Sequence, residues 1–553
     1  MQVDWAARIC AVTLAATAAL SGTAAFAQTQ TTPPPEPPPP GAAPPGAAGQ
    51  PTTPSEQPGA PAGTAKPAAP AEAEKKKPAE TAHKLFEPKP GPTVTFYTPR
   101  GEITFYGYLD VSFDVTTKGI AQFRDENGNA PPGNVGWMPA MSTNLSYLGA
   151  RGFLKLGGDW RFLYQLETQL DIAASSGFAN TNSNSSAIVK GALTSRNSFV
   201  GIGSKLGSVK LGKTDAPYKL STQRMNPFSG EIGDYSVVMG NTGGDNRVEF
   251  STRLDHSIWY ESPKLGPFSI AVLFSPGQNR SGYSDQIPAG GPECSGGNIP
   301  GSGGTGGAAS GFPIACNDGG FGNAFSGAAA FETGPIYVTG AYERHRNVNR
   351  NSDIYAIYGA FPLPAAVTGY DTADVADEDA WKIGAQVKLP TGTTVSGIYE
   401  DFHRYVPSNL DFQNERQRDG YWLELSQKLG SQLSIHVGWA HANKTPGDPG
   451  QHNTALADVG NGGTAGGAHV DNSADMVTAA LKHEFIKDVM VYAAWAGTYN
   501  AKYGHYDLGA GGRAVTTDCH DGGLPASGDT TSNPHCWAGG HLQGFSMGLN
   551  ARF

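Results

Sequence analysis

From Gly101 onward, apolar and polar residues alternate along the chain. In "ITFYGYLDVSFDV", Ile103, Phe105, Leu109, Val111, Phe113 and Val115 share one register, and Thr104, Asp110, Ser112 and Asp114 share the other. Successive side chains of an extended backbone point to opposite faces, so a period of two predicts a strand with one apolar face. The pattern recurs in "WRFLYQLETQLDI", which separates Trp160, Phe162, Tyr164, Leu166 and Leu170 from Arg161, Gln165, Glu167, Gln169 and Asp171. "WKIGAQVKL" divides Trp381, Ile383, Ala385, Val387 and Leu389 from Lys382, Gln386 and Lys388. "YWLELSQKL", "MVTAALKHEF" and the C-terminal "GFSMGLNARF" follow the same rule.

A soluble β-sandwich also has oily and wet faces, so alternation alone does not separate it from a membrane barrel. The spacing of the segments does. Tiny turns such as "PTG" and "KD" alternate with stretches as long as Ser275 to Asn323 and Asn500 to Gly540. Short turns on one rim and long loops on the other predict an all-β, transmembrane, antiparallel up-and-down β-barrel. Sixteen strands are counted from Glu102 to Phe553, and an even number puts both ends of the barrel on the short-turn rim. In lipid such a sheet must close, because an open edge would leave N–H and C=O groups without partners. The expected partners of the outer face are outer-membrane lipid and lipopolysaccharide. A Lys or Arg there would cost roughly 2–4 kcal/mol near mid-bilayer, and the apolar registers quoted above contain none. Trp160, Tyr399, Trp495 and Tyr499 sit near strand ends, as an interfacial aromatic girdle requires.

The composition before Gly101 is different. Residues 1–27 read as a signal peptide: Arg8, an apolar run from Ile9 to Leu20, then "AAFA" before Gln28. Residues 28–100 read as a disordered Pro/Ala-rich linker on the periplasmic side, which cannot bury a core and favours extended polyproline II. Its stretch from Gln28 to Pro92 is a candidate for contact with peptidoglycan. The barrel is expected to occupy residues 101–553.

The full chain of 553 residues carries 74 Gly, 16% charged residues and a formal charge of −10. No basic footprint points to nucleic acid. Once Cys10 leaves with the signal, four cysteines remain. Export and sequence proximity suggest the disulfides Cys294–Cys316 and Cys519–Cys536. That pairing is preferred to a metal site at Cys519, His520, His535 and Cys536, so neither metal nor cofactor is expected. Two catalytic-looking motifs lack their context. "GSVKLGKT" (207–214) fits the phosphate-loop pattern, but Val209 and Leu211 alternate with Ser208 and Lys210 as in a strand rather than a loop opening a helix. "GFSMG" (544–548) fits a nucleophile elbow, but too little chain follows to supply an acid and a His. No enzymatic activity is expected.

Several segments resemble the trimeric general porins of Gram-negative outer membranes: "ITFYGYLDVSF", "YLGARGFLKLGGDWRFLYQLET", "SRNSFVGIGSKLGSVKLGK", "RLDHSIWYESPKLGPFSIAVLF" and the terminal Phe553. The resemblance implies sixteen strands, a homotrimer and passive passage of small hydrophilic solutes. It also implies that the third long loop, about 215–246, folds into the lumen and presents Glu231 and Asp234 at a constriction. Matching residue by residue, Arg151, Arg196 and Arg253 fall on basic positions of the opposing wall, while Tyr147 stands where such proteins often have another Arg. Carboxylates facing guanidiniums across a narrow waist set up a transverse field that favours polar solutes. Two alternatives stay open: a channel selective for anionic nutrients, and a barrel that anchors an envelope tether.

Overall fold

The computed structural model describes residues 86–91, 93–117, 137–170, 172–173, 194–240, 250–276, 323–348, 376–405, 417–446, 471, 473–501, 506, 508 and 541–553. Residues 1–85, which include the expected signal peptide and most of the expected linker, and the four cysteines Cys294, Cys316, Cys519 and Cys536 lie outside the described residues.

The alternating segments are strands. In chain order they are β1 Val94–Thr98, β2 Gly101–Thr116, β3 Met138–Thr143, β4 Tyr147–Gly157, β5 Trp160–Gln169, β6 Ser198–Ser204, β7 Gly207–Asp215, β8 Arg253–Glu261 and β9 Phe268–Pro276. They continue with β10 Asn323–Thr333, β11 Ile336–Val348, β12 Ala376–Lys388, β13 Thr393–Arg404, β14 Arg418–Leu429, β15 Leu433–Ala442, β16 Ala474–Ile486, β17 Val489–Asn500 and β18 His541–Arg552. From β4 to β18 each strand pairs antiparallel with the next. β18 then pairs with β2, Arg552 opposite Tyr108 and Gly544 opposite Thr116, which closes the ring.

Two short strands reconcile this list with the expected sixteen. β3 and β4 both pair with β2, β4 along Gly101–Tyr108 and β3 along Val111–Thr116, so they are two pieces of one barrel strand. The break falls at residues 144–146, where Leu145 adopts φ 57°, a left-handed conformation that ends a ladder. β1 is a supplement. It pairs Val94 with Phe105 and Thr98 with Gly101, on the part of the β2 edge that β18 does not reach. Residues 86–89 add a further extended segment, with Phe86 N donating to Tyr97 O and Tyr97 N to Glu87 O at 3.0 and 2.8 Å. The composition had placed 94–98 in the linker. "VTFYT" is instead β-branched and aromatic, and it has a free strand edge to join.

The two registers behave as the alternation requires. Met547 is 63% exposed and Ser546 only 2%. Phe113, Leu166, Val209, Ile258, Ile383, Leu423 and Leu549 are exposed in the same outward register. "GSVKLGKT" is β7 and "GFSMG" lies within β18. Where first and last strands meet, a buried polar network crosses the seam. The Asp110 carboxylate accepts from Tyr492 OH at 2.9 Å, Asn144 Nδ2 at 2.9 Å and Asn550 Nδ2 at 3.3 Å.

Candidate functional site

The third long connection leaves β7, enters the barrel and returns at β8; it is described from 216 to 240 and from 250 to 252. Pro217 starts a short helix, α1 Pro217–Thr222, where a missing N–H costs nothing. A 3₁₀ turn, Gln223–Met225, follows, and α2 Ser236–Met239 comes after an irregular turn. The neck of the connection is clasped by charge. Asp215 accepts from Lys219 at 2.9 Å and pairs with Arg253 Nη2 at 3.1 Å, while Arg253 Nε donates to Asn197 at 2.7 Å.

Inside the barrel the loop packs against one wall. Met225, Phe228, Ile232, Tyr235, Val237, Val238 and Met239 form one apolar cluster with inward residues of β13–β18, among them Trp422, Ala440, Ala474, Met476, Ala480, Ala494 and Ala496. Those inward positions are small because the loop occupies the space in front of them. Trp422 is the exception. Its ring stacks on Tyr235 at 5.4 Å, its Nε1 donates to Met225 O at 3.0 Å, and Gly438 leaves it room, since a Cβ there would lie 1.8 Å from the ring. At Gly233 the backbone has φ +76° and a Cβ would meet Thr478 Oγ1 at 2.2 Å; the same Oγ1 donates to Gly233 O at 2.9 Å. Burial pushes the hydroxyls of Tyr218 and Tyr235 well above the usual phenol range, an effect that nearby Glu400 reinforces.

The five residues expected at the waist have unequal surroundings. Glu231 is buried, and both its oxygens accept from Lys482 Nζ at 2.7 Å. Asp234 is buried too and staples the loop to itself, accepting from Asn226 Nδ2, Gly230 N, Ser236 N and Ser236 Oγ at 2.7–3.0 Å. Arg196 donates to Glu167 at 2.7 Å and lies over the Tyr147 ring at 4.7 Å. Arg253 belongs to the neck clasp. Arg151 points into the lumen from β4, exposed, with its guanidinium 4.8 Å from the centre of the Tyr106 ring.

A closed sixteen-strand antiparallel barrel, lipid-compatible outside and narrowed by an internal third loop, is a channel architecture. A family model described as Gram-negative porin matches residues 60–502. The chain belongs to the Gram-negative porin family. The porin forms an outer-membrane channel for passive diffusion. Its fold is similar to that of an anion-selective porin from Comamonas acidovorans, at 16% identity and TM-score 0.50, covering 82% of this chain and all of that one. Salmonella typhi OmpF in complex with daunomycin aligns at 13% identity and TM-score 0.44, covering 83% of this chain and 100% of that chain. The outer-membrane channel DcaP of Acinetobacter baumannii aligns at 10% identity and TM-score 0.44, covering 82% and 98%. No curated protein sequence matches this porin.

Three features of the porin's waist escape a reading by alternation. Lys482 is one: the inward cation of β16, preceded in its register by Ala474, Met476, Thr478 and Ala480 and followed by the exposed Glu484. Its burial is the signal, since a buried charge needs a partner, here from elsewhere in the fold. Trp422 is another, a bulky aromatic in the wet register. The third is Arg552, in the inward register of β18 with its guanidinium 5.0 Å from the Tyr108 ring.

Proposed function

We propose that this porin is a non-catalytic diffusion pore whose waist is shaped by Glu231 and Asp234 on the inner loop and by Arg151, Arg196 and Arg253 on the barrel wall. The carrying observation is the buried Lys482–Glu231 pair, which with the apolar cluster around Trp422 holds the loop against one wall. The lumen narrows to the opposite side, where β2, β4 and β5 present polar and cationic side chains. Solutes are sorted by size at the loop and by charge at the wall. The protein works as a homotrimer in lipid and lipopolysaccharide, after removal of residues 1–27. Purified protein in a planar bilayer gives conductance steps in groups of three; membranes that stay silent at every voltage would refute the reading.

A second role is favoured by the extended residues 86–98. They tie the end of the 28–92 tract to the barrel through β1, so that the tract becomes an envelope tether in contact with peptidoglycan. Co-sedimentation with peptidoglycan that vanishes on deleting 28–85 supports the tether, and unchanged co-sedimentation removes it.

A further inference from the structure

Small inward residues of the barrel have two fates. On β15–β17, Ala440, Ala474, Ala494 and Ala496 are buried under the apolar cluster of the inner loop. On β9 and β10 the inward register is just as small, with Ser269 opposite Ala330 and Ala271 opposite Ala328. These four keep part of their surface, because α1, which crosses in front of them, leaves a cavity of about 250 Å³. Leu220 and Ser221 of α1 cover it, and its sides are Trp259 and Glu261 on β8 and Tyr337 on β11. Glu261 and Tyr337 both adjoin short turns, so the cavity lies in the periplasmic half of the lumen.

The two sides carry opposite charge. Glu261 accepts from Lys210 Nζ at 2.6 Å and from Trp259 Nε1 at 2.8 Å, yet its side chain is 41% exposed and a carboxylate has lone pairs for further donors. On the other side, the Arg224 guanidinium lies 4.2 Å from the centre of the Tyr337 ring. Glu332 accepts from both Arg224 and Lys264 at 2.9 Å, so two cations share one carboxylate and a positive charge is left over. A guanidinium resting on a ring still presents N–H groups at its edge. Neighbouring strands lie about 4.8 Å apart, which separates β8 from β11 by roughly 14 Å, and the Glu261 and Arg224 side chains shorten that gap from both ends. Drug-sized ligands take sites of roughly 300–1,000 Å³, so the occupant of this smaller cavity is itself small.

We propose that this cavity binds a short zwitterion, of the size of a dipeptide with small side chains, its ammonium group on Glu261, its carboxylate at Arg224 and its apolar part on Ala271, Ala328 and Ala330. A purely anionic solute meets repulsion at Glu261, and a purely cationic one meets the surplus charge around Glu332. A molecule that carries both charges satisfies both sides. Larger side chains at 271, 328 or 330 would close the space, so their smallness serves the occupant. The assignment goes beyond the pore reading above: it names a class of solute held on the periplasmic side of the inner loop.

The test is equilibrium binding of L-alanyl-L-alanine to the full-length protein in detergent, followed by calorimetry, which needs no conductance. The wild type binds it saturably, one molecule per chain. N-acetyl-L-alanyl-L-alanine, which lacks the ammonium, and L-alanyl-L-alanine amide, which lacks the carboxylate, each bind at least about tenfold more weakly, as expected for lost hydrogen bonds to a charged group. E261Q and R224Q weaken dipeptide binding by the same factor, and A328F, which fills the cavity, abolishes it. Circular dichroism reports whether each variant is folded, and should A328F not be, A330L fills the same space. Dipeptide binding that is unaltered in E261Q, R224Q and a folded cavity-filling variant overturns the assignment. So does either blocked dipeptide bound as tightly as the free one, or a wild type without saturable binding. Each of these outcomes leaves the pore reading standing, because that reading is decided by conductance.

Discussion

The two sides of the lumen obey one alternation rule and use it to opposite ends. On β14–β18 the inward register is filled by Trp422, alanines and Met476, and the inner loop lies on it as a packed core. On β2, β4 and β5 the same register carries Tyr106, Tyr108, Tyr147, Arg151, Gln165 and Glu167, a polar set in which Glu167 is buried and Arg151 exposed. Period two says only that a residue faces inward. Whether inward means core or water is decided by what the third loop covers, and the size of the inward residue is the clue.

The largest expected effect is on the filled side. K482A leaves the Glu231 carboxylate buried without its cation, costing about 3–5 kcal/mol, and unfolding in detergent followed by circular dichroism reads this as a lower midpoint. The double variant K482A/E231A recovers most of the loss, and full additivity of the two losses would break the assigned pairing. Next comes the loop's staple. D234A strips four donors of their acceptor and costs about 2–3 kcal/mol, with noisier single-channel current as the loop loosens. W422F removes the donor to Met225 O and part of the packing, at about 1–2 kcal/mol by the same midpoint. A pH titration bears on the same side. Tyr218 and Tyr235 stay protonated in the folded loop, while the unfolded chain ionises near the ordinary value of about 10. Above that pH the unfolded state binds fewer protons, so stability falls as pH rises past about 10, and Y235F reduces the fall. On the open side the expected stability effect is smallest: R151Q leaves the midpoint unchanged, because an exposed guanidinium with no ion pair among the described residues contributes little to the fold.

The barrel was legible because alternation, turn length and loop length are all local properties of the chain. Sixteen strands follow from them, β3 and β4 counting as one. The β1 strand was not read, because five residues behind a proline-rich tract carry too short a pattern, and only the free edge of β2 makes them a strand. At the waist, the inner loop was legible through its likeness to porins, and its carboxylates Glu231 and Asp234 are both buried. Their partners were not, since Lys482 stands 251 residues from Glu231 and nothing local connects them. Arg552 was hidden differently: it lies in the terminal segment, which reads first as barrel closure.

The β1 supplement also has a mechanical side. Residue 86 faces Tyr97 at the far end of β1, and Lys89 faces Thr95 nearer the barrel, so the segment runs along the strand axis as it leaves. A pull on residue 86 in that direction loads its ladder bonds together, in shear, rather than peeling them one at a time. Behind it, β1 grips β2 through five residue pairs and the Lys89–Glu102 bridge of 2.7 Å. A load applied at residue 86 is therefore shared across residues 86–89, β1 and β2 before it reaches Phe553, whose N–H and C=O exchange hydrogen bonds with Gly107.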